Sequence, residues 1–185
     1  MVSVGGGNHS FRSDHPGNIW ITPSGYPRSH LTPEDLLLID LEGNVLHGNL
    51  RPTIETPFHT QIYKVRPEIN AVCHVHNPYT QGFFLSQKLT ETDIAGIYLL
   101  ADDPPLEFPR PIGAGPVVIE YRQLGSKALG RLVGEACRFD VLPIRVIVLL
   151  NHGIIGIGRC IHEGRFLVEL LEEWARCVTV FKSLS

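Results

Sequence analysis

Apolar residues fall in short runs along this chain, broken by glycine, proline and asparagine, and the runs differ in period. Residues 18–22 predict a strand, which Pro23-Ser24-Gly25 ends. Residues 36–41 and 44–47 predict a hairpin around Glu42-Gly43. At 53–65 the period becomes helical: Ile54, Phe58 and Ile62 recur at every fourth position and are expected to form a buried stripe. Residues 71–76 return to strand character, and 79–88 to helix. The least regular stretch is 90–116, where 97–100 read as a short strand and the prolines at 104, 105, 109 and 111 as irregular loop. Residues 117–121 predict another strand. Ser126 is placed to cap a helix through 138, with Leu129, Leu132, Val133 and Ala136 inward. The run 146–152 predicts a strand that 154–157 continue beyond Gly153, and a last helix spans about 162–182. Strands and helices mix without strict alternation. The expected fold is therefore a three-layer α/β/α domain with a mixed or antiparallel central sheet.

A chain of 185 residues reads as one domain, 1–185, large enough to fold on its own core. A net charge of −3 gives no bias toward nucleic acid or anionic membrane. No apolar run approaches the length of a membrane span, and no signal peptide is expected. Cys73, Cys137, Cys160 and Cys177 lie far apart in apolar contexts. They are expected to be buried thiols of a protein in a reducing, cytoplasmic compartment.

Two histidines change the picture. In Ala71-Val72-Cys73-His74-Val75-His76 the alternation of a strand puts His74 and His76 on one face, where they can share one metal ion. A third, His152, ends the apolar run that begins at Val146. Three imidazoles leave one coordination position open, the pattern of a catalytic rather than a structural site. Glu55, expected in the first turn of a helix, suits the macrodipole there. Beside a metal it can also serve as a general base that takes a proton from carbon. Gly7-Asn8-His9-Ser10 and Thr22-Pro23-Ser24-Gly25 read as turns able to offer backbone N–H groups to an anion. Thr53, at an expected helix N-terminus, adds donors, and Arg51 adds charge.

With these residues in view, the chain resembles the class II aldolase/adducin family, of the L-fuculose-phosphate aldolase type. The resemblance runs from about 7 to 175. It rests on Gly7-Asn8-His9-Ser10-Phe11-Arg12, Ile21-Thr22-Pro23-Ser24-Gly25, 36–43, Arg51-Pro52-Thr53-Ile54-Glu55 with His59, 71–76, Tyr121 with Gly125-Ser126, and Asn151-His152-Gly153. It implies that His74, His76 and His152 bind a divalent metal, usually Zn2+, with Mn2+ or Fe2+ as alternatives. It implies Glu55 as the catalytic acid/base, able to approach the metal in the empty site. Asn8, Ser24, Gly25 and Thr53 match positions that hold a substrate phosphate. Tyr98 lies near the region of a tyrosine that acts from a neighbouring subunit.

The reaction implied is retro-aldol cleavage of a small ketose phosphate or hydroxy-carbonyl compound through a metal-stabilised enediolate. The implied assembly is a homotetramer with interfacial sites. Some features depart from the family. Ile54 stands where a second hydroxyl residue usually precedes the glutamate. The usual N-terminal helix has no expected counterpart, and no residue matches the C-terminal catalytic tyrosine. The same scaffold also supports decarboxylation, to which Ile54 is suited, and sugar-phosphate dehydration or epimerisation. The epimerases carry aspartate at the position of Glu55. A non-catalytic, adducin-like assembly module would lose ligands that are kept here.

Overall fold

A computed structural model describes residues 6–86, 116–138 and 144–184. Among these residues eight strands form one sheet: β1 (Asn8–Arg12), β2 (Asn18–Ile21), β3 (Leu37–Asp40), β4 (Val45–His47), β5 (Ala71–Val75), β6 (Val117–Ile119), β7 (Val146–Leu149) and β8 (Gly153–Gly158). Their spatial order is β4-β3-β2-β1-β5-β8-β7-β6. Only β6 and β7 run parallel; every other neighbouring pair is antiparallel. Among the described residues four α-helices cover the faces: α1 (Thr56–Val65), α2 (Pro78–Ser86), α3 (Lys127–Ala136) and α4 (Ile161–Leu184).

Alternation along the central strands sorts side chains into two cores. Val72, Ile147, Leu149, Ile155 and Ile157 pack with Phe58, Ile62 and Tyr63 of α1 and with Leu129 and Val133 of α3. Cys73, Val75, Val146, Val148 and Ile154 face the other way, onto Phe83 and Phe84 of α2 and Leu167, Val168, Leu171 and Trp174 of α4. The result is the three-layer α/β/α architecture with a mixed sheet. His74 and His76 fall on the face of Val72, toward α1.

Local chemistry explains the helix ends. The Ser126 hydroxyl accepts the Leu129 N–H and starts α3. Glu172, from the middle of α4, accepts Tyr79 N–H, Thr80 N–H and the Thr80 hydroxyl, so a buried carboxylate caps α2 from outside. Pro57 lies in the first turn of α1, so the helix starts at Thr56 rather than Thr53. Ile54 is consequently not in the core stripe; it is 61% exposed, while Phe58 and Ile62 are buried as expected.

The chain does not run straight on past Gly153. Asn151 adopts φ 57°, His152 N–H bonds back to Leu149 C=O, and β8 returns antiparallel to β7. Gly7 (φ 86°) leads into strand β1, where a turn was expected; the residues that β1 buries, Asn8 and Ser10, are polar and give no apolar alternation. Cys73 and Cys137 are buried as expected, but Cys160, just before α4, and Cys177, within it, are exposed. No helix among the described residues is long and apolar enough to cross a membrane.

Candidate metal centre

The C-terminal end of β5, the β7–β8 turn and the lead-in to α1 meet at one point. There Glu55, His74, His76 and His152 each offer a ligand atom, all within 4.8 Å of one another. Glu55 Oε2 lies 3.1 Å from His74 Nε2, and Glu55 Oε1 lies 2.8 Å from His152 Nε2. His74 Nε2 and His76 Nε2 are 3.1 Å apart. His74 Nδ1 bonds the Ile154 carbonyl at 2.9 Å. A carbonyl only accepts, so Nδ1 carries a proton, and Nε2 is the ring atom turned into the cluster.

The cluster has the character of a cation site. Among the described residues, the buried side-chain atoms without a hydrogen-bond partner include His152 Nδ1, His152 Nε2 and Glu55 Oε1. Such orphans are rare in folded proteins, and two of them, His152 Nε2 and Glu55 Oε1, face each other inside the cluster. Three imidazoles and a carboxylate are a donor set suited to a divalent transition metal. Burial, with His74 and His152 adding to it, pulls the His76 imidazole down to about 4, so it is a neutral ligand at physiological pH. Burial opposes ionisation of Glu55, but His152 and His74 beside it outweigh that cost and hold the carboxyl below the usual carboxylate range.

Sheet packing sets this geometry. A Cβ on Gly153 would lie 2.5 Å from Val75 O, 2.7 Å from His74 Cε1 and 2.8 Å from His76 Cδ2. Only glycine lets the β7–β8 turn approach the two histidines. Gly7 has a comparable role on the other side of β5, where a Cβ would meet His74 O at 2.2 Å.

Next to the cluster is a small pocket of about 170 Å³. Asn8, Ser24, Gly25 and Thr53 all line it, together with Glu55, His76 and His152. A short antiparallel bridge builds its floor. Pro23 pairs with Pro52, Ser24 N–H bonds Arg51 C=O, and Thr53 N–H bonds Thr22 C=O. Arg51 itself is exposed and absent from the lining. The cation of the pocket is Arg28, half-buried, with Nε on Gly7 C=O at 2.8 Å and Nη1 on Pro23 C=O at 3.2 Å. Sequence reasoning passed over Arg28, although a single basic residue just past a Pro-Ser-Gly turn is a readable signal. It also missed Gln81 of α2, which accepts His152 N–H and donates to Gly153 C=O, clamping the turn that carries His152. Tyr98 lies outside the described residues. A larger cavity of about 800 Å³ opens along α4, lined by Cys73, Arg165 and Glu169 among others; none of the four ligand residues touches it.

This fold and this cluster define a metal-dependent enzyme of the class II aldolase type. The chain belongs to that family: residues 1–179 match the Class II Aldolase and Adducin N-terminal domain. It is 32% identical over 173 residues to an L-fuculose phosphate aldolase of Methanococcus vannielii, covering 92% of this chain and 82% of that protein. It is 30% identical over 192 residues to a 5-deoxy-D-ribulose 1-phosphate aldolase of Bacillus thuringiensis, covering 100% of this chain and 81% of that one. A solved L-fuculose 1-phosphate aldolase superposes with a TM-score of 0.78 at 26% identity, over 98% of this chain and 78% of that chain.

Proposed function

We propose that this protein catalyses reversible aldol cleavage of a small 2-ketose 1-phosphate, releasing an aldehyde and dihydroxyacetone phosphate. The observation that carries the reading is Glu55, which borders both the imidazole cluster and the Arg28 pocket. A cation held by His74, His76 and His152, with Zn2+ favoured by the donor set, would polarise the substrate carbonyl. The chain's own residues supply the rest. Arg28, Ser24, Thr53 and the Gly25 backbone bind the phosphate and fix the ketose carbonyl end toward the histidines. Glu55 moves the proton on the carbon next to that carbonyl, taking it up in the synthetic direction and delivering it after cleavage. Its depressed pKa keeps it in the ionised form that a base requires.

The oligomer we propose is a homotetramer, in line with the exposed apolar edge at Val45, Leu46 and Leu50. Unpaired cysteines support a cytoplasmic setting. Metal analysis of the purified protein, light scattering, and assays with L-fuculose 1-phosphate and 5-deoxy-D-ribulose 1-phosphate test this reading. Metal-dependent exchange of solvent deuterium into dihydroxyacetone phosphate is the expected result, whichever aldehyde is the natural partner. Failure to exchange with any divalent metal added back would sink it.

A further inference from the structure

The proposed base sits at one end of an unbroken buried chain of polar groups. Asn8 Nδ2 donates to Glu55 Oε2 at 2.7 Å. Asn8 Oδ1 lies 2.6 Å from His59 Nε2, His59 Nδ1 lies 2.7 Å from Ser10 Oγ, and Ser10 Oγ lies 3.0 Å from Tyr63 OH. Ser10, His59 and Tyr63 are at most 1% exposed, and none of them lines the pocket. Strand β1 supplies Asn8 and Ser10 from one face, two residues apart; α1 supplies His59 and Tyr63 four apart, one turn above the other.

The direction of every proton in this chain follows from its two ends. An ionised carboxylate only accepts, so the Asn8 amide must turn its NH2 group to Glu55 and its oxygen to His59. His59 Nε2 must then carry a hydrogen. Burial keeps this ring neutral, so Nδ1 is bare and accepts the Ser10 hydroxyl. Ser10 in turn accepts Tyr63 O–H, whose proton burial holds in place. The opposite amide orientation would set Asn8 oxygen against Glu55 oxygen at 2.7 Å.

We infer that His59 is a positioning residue: its Nε2–H locks the Asn8 amide in the orientation that donates to Glu55 and presents the second Nδ2 hydrogen to the anion pocket. Glu55 selects which end of the amide faces it, but it does not fix the amide plane; the His59 donor on Oδ1 does. With that donor removed, the buried Asn8 oxygen loses its partner and the amide can swing its second hydrogen away from the pocket. The inference rests on the aldolase reading for the role of Glu55, but the proton order can be measured without turnover.

The test has two arms. Nitrogen-15 NMR of the metal-free wild-type protein reports the His59 tautomer at neutral pH, and the Nε2–H form is expected. The Nδ1–H form would overturn the inference, because Asn8 would then have to face Glu55 with its oxygen. In the second arm His59→Leu is compared with His59→Gln, whose terminal amide restores a donor near the position of Nε2. At equal metal content and unchanged circular dichroism, His59→Leu should slow deuterium exchange into dihydroxyacetone phosphate about 10–100-fold, the usual cost of losing an outer partner. His59→Gln should recover most of it. Equal rates in the two variants would mean that His59 only fills space. If His59→Leu does not fold, the tautomer decides alone. Absence of exchange in the wild-type protein would count against the aldolase reading and leave the tautomer result standing.

Discussion

At the residue scale, two carboxylate or guanidinium neighbours that look alike in sequence have different standing. Glu55 is buried against imidazoles, so Glu55→Gln keeps its volume but removes its ability to carry a proton. Loss of a general base costs about 10²–10⁴-fold. The variant should retain metal by elemental analysis while deuterium exchange into dihydroxyacetone phosphate falls by that factor; wild-type exchange would reduce Glu55 to a helix-start carboxylate. Arg28 and Arg51 are guanidinium groups of similar sequence setting but different place. Arg28 lines the pocket and Arg51 does not. A charged hydrogen bond is worth about 1.5–3 kcal/mol when buried, less at a half-exposed site. Arg28→Ala should therefore raise the KM for a phosphorylated substrate about tenfold, with Arg51→Ala near wild type. The reverse ranking would move the phosphate elsewhere.

Elements decide which of these residues can meet. The pair His74 and His76 was legible because strand alternation is rigid: two residues apart means one face, whatever the surrounding fold. The third histidine was legible as a residue but not as a geometry. The reversal at Asn151 uses a left-handed conformation that asparagine tolerates without glycine's signal. β1 escaped notice because its inward residues serve hydrogen bonds rather than a core, so the strand lacks apolar alternation. Ile54 falls outside the helix because Pro57 sets the helix start about one turn later than the apolar period alone predicts. Glycines in two elements give a paired prediction. Gly153→Ala pushes a methyl into Val75 O and both histidine rings, and should lower both Tm and metal content. Gly82→Ala, in α2 with nothing within 4 Å, should raise Tm, since alanine in a helix is favoured by about 1 kcal/mol. Thermal scans with metal analysis check both, and metal loss without destabilisation in Gly153→Ala would place the turn outside the packed sheet.

Over the whole molecule, buried imidazoles tie stability to pH. Burial, with Arg28 and His74 beside it, pulls His9 down to about 4, as burial does for His76, and it pulls His59 well below its ordinary value. In the unfolded chain each takes a proton near 6.5. Between pH 6.5 and about 4 the unfolded state thus binds more protons, and stability falls as the pH drops through that window. Urea midpoints of the metal-free protein should decline steadily from pH 7 to 4.5; a flat profile would contradict the burial of these rings. The sheet order carries a different consequence, one of timing. β5 lies between β1, which precedes it by a long stretch of chain, and β8, which follows by a longer one, with Asn8 opposite His74 and His74 opposite Ile155. The four candidate ligands come from three separate segments: the lead-in to α1, β5 with its end, and the β7–β8 turn. A nascent chain has its first two histidines long before the third is synthesised, and the neighbouring strand that seats them later still. Capture of a cation at this cluster should therefore come late. Cobalt absorption during refolding should trail the recovery of helical circular dichroism, as expected of an ion that seals a finished sheet rather than serving as its template.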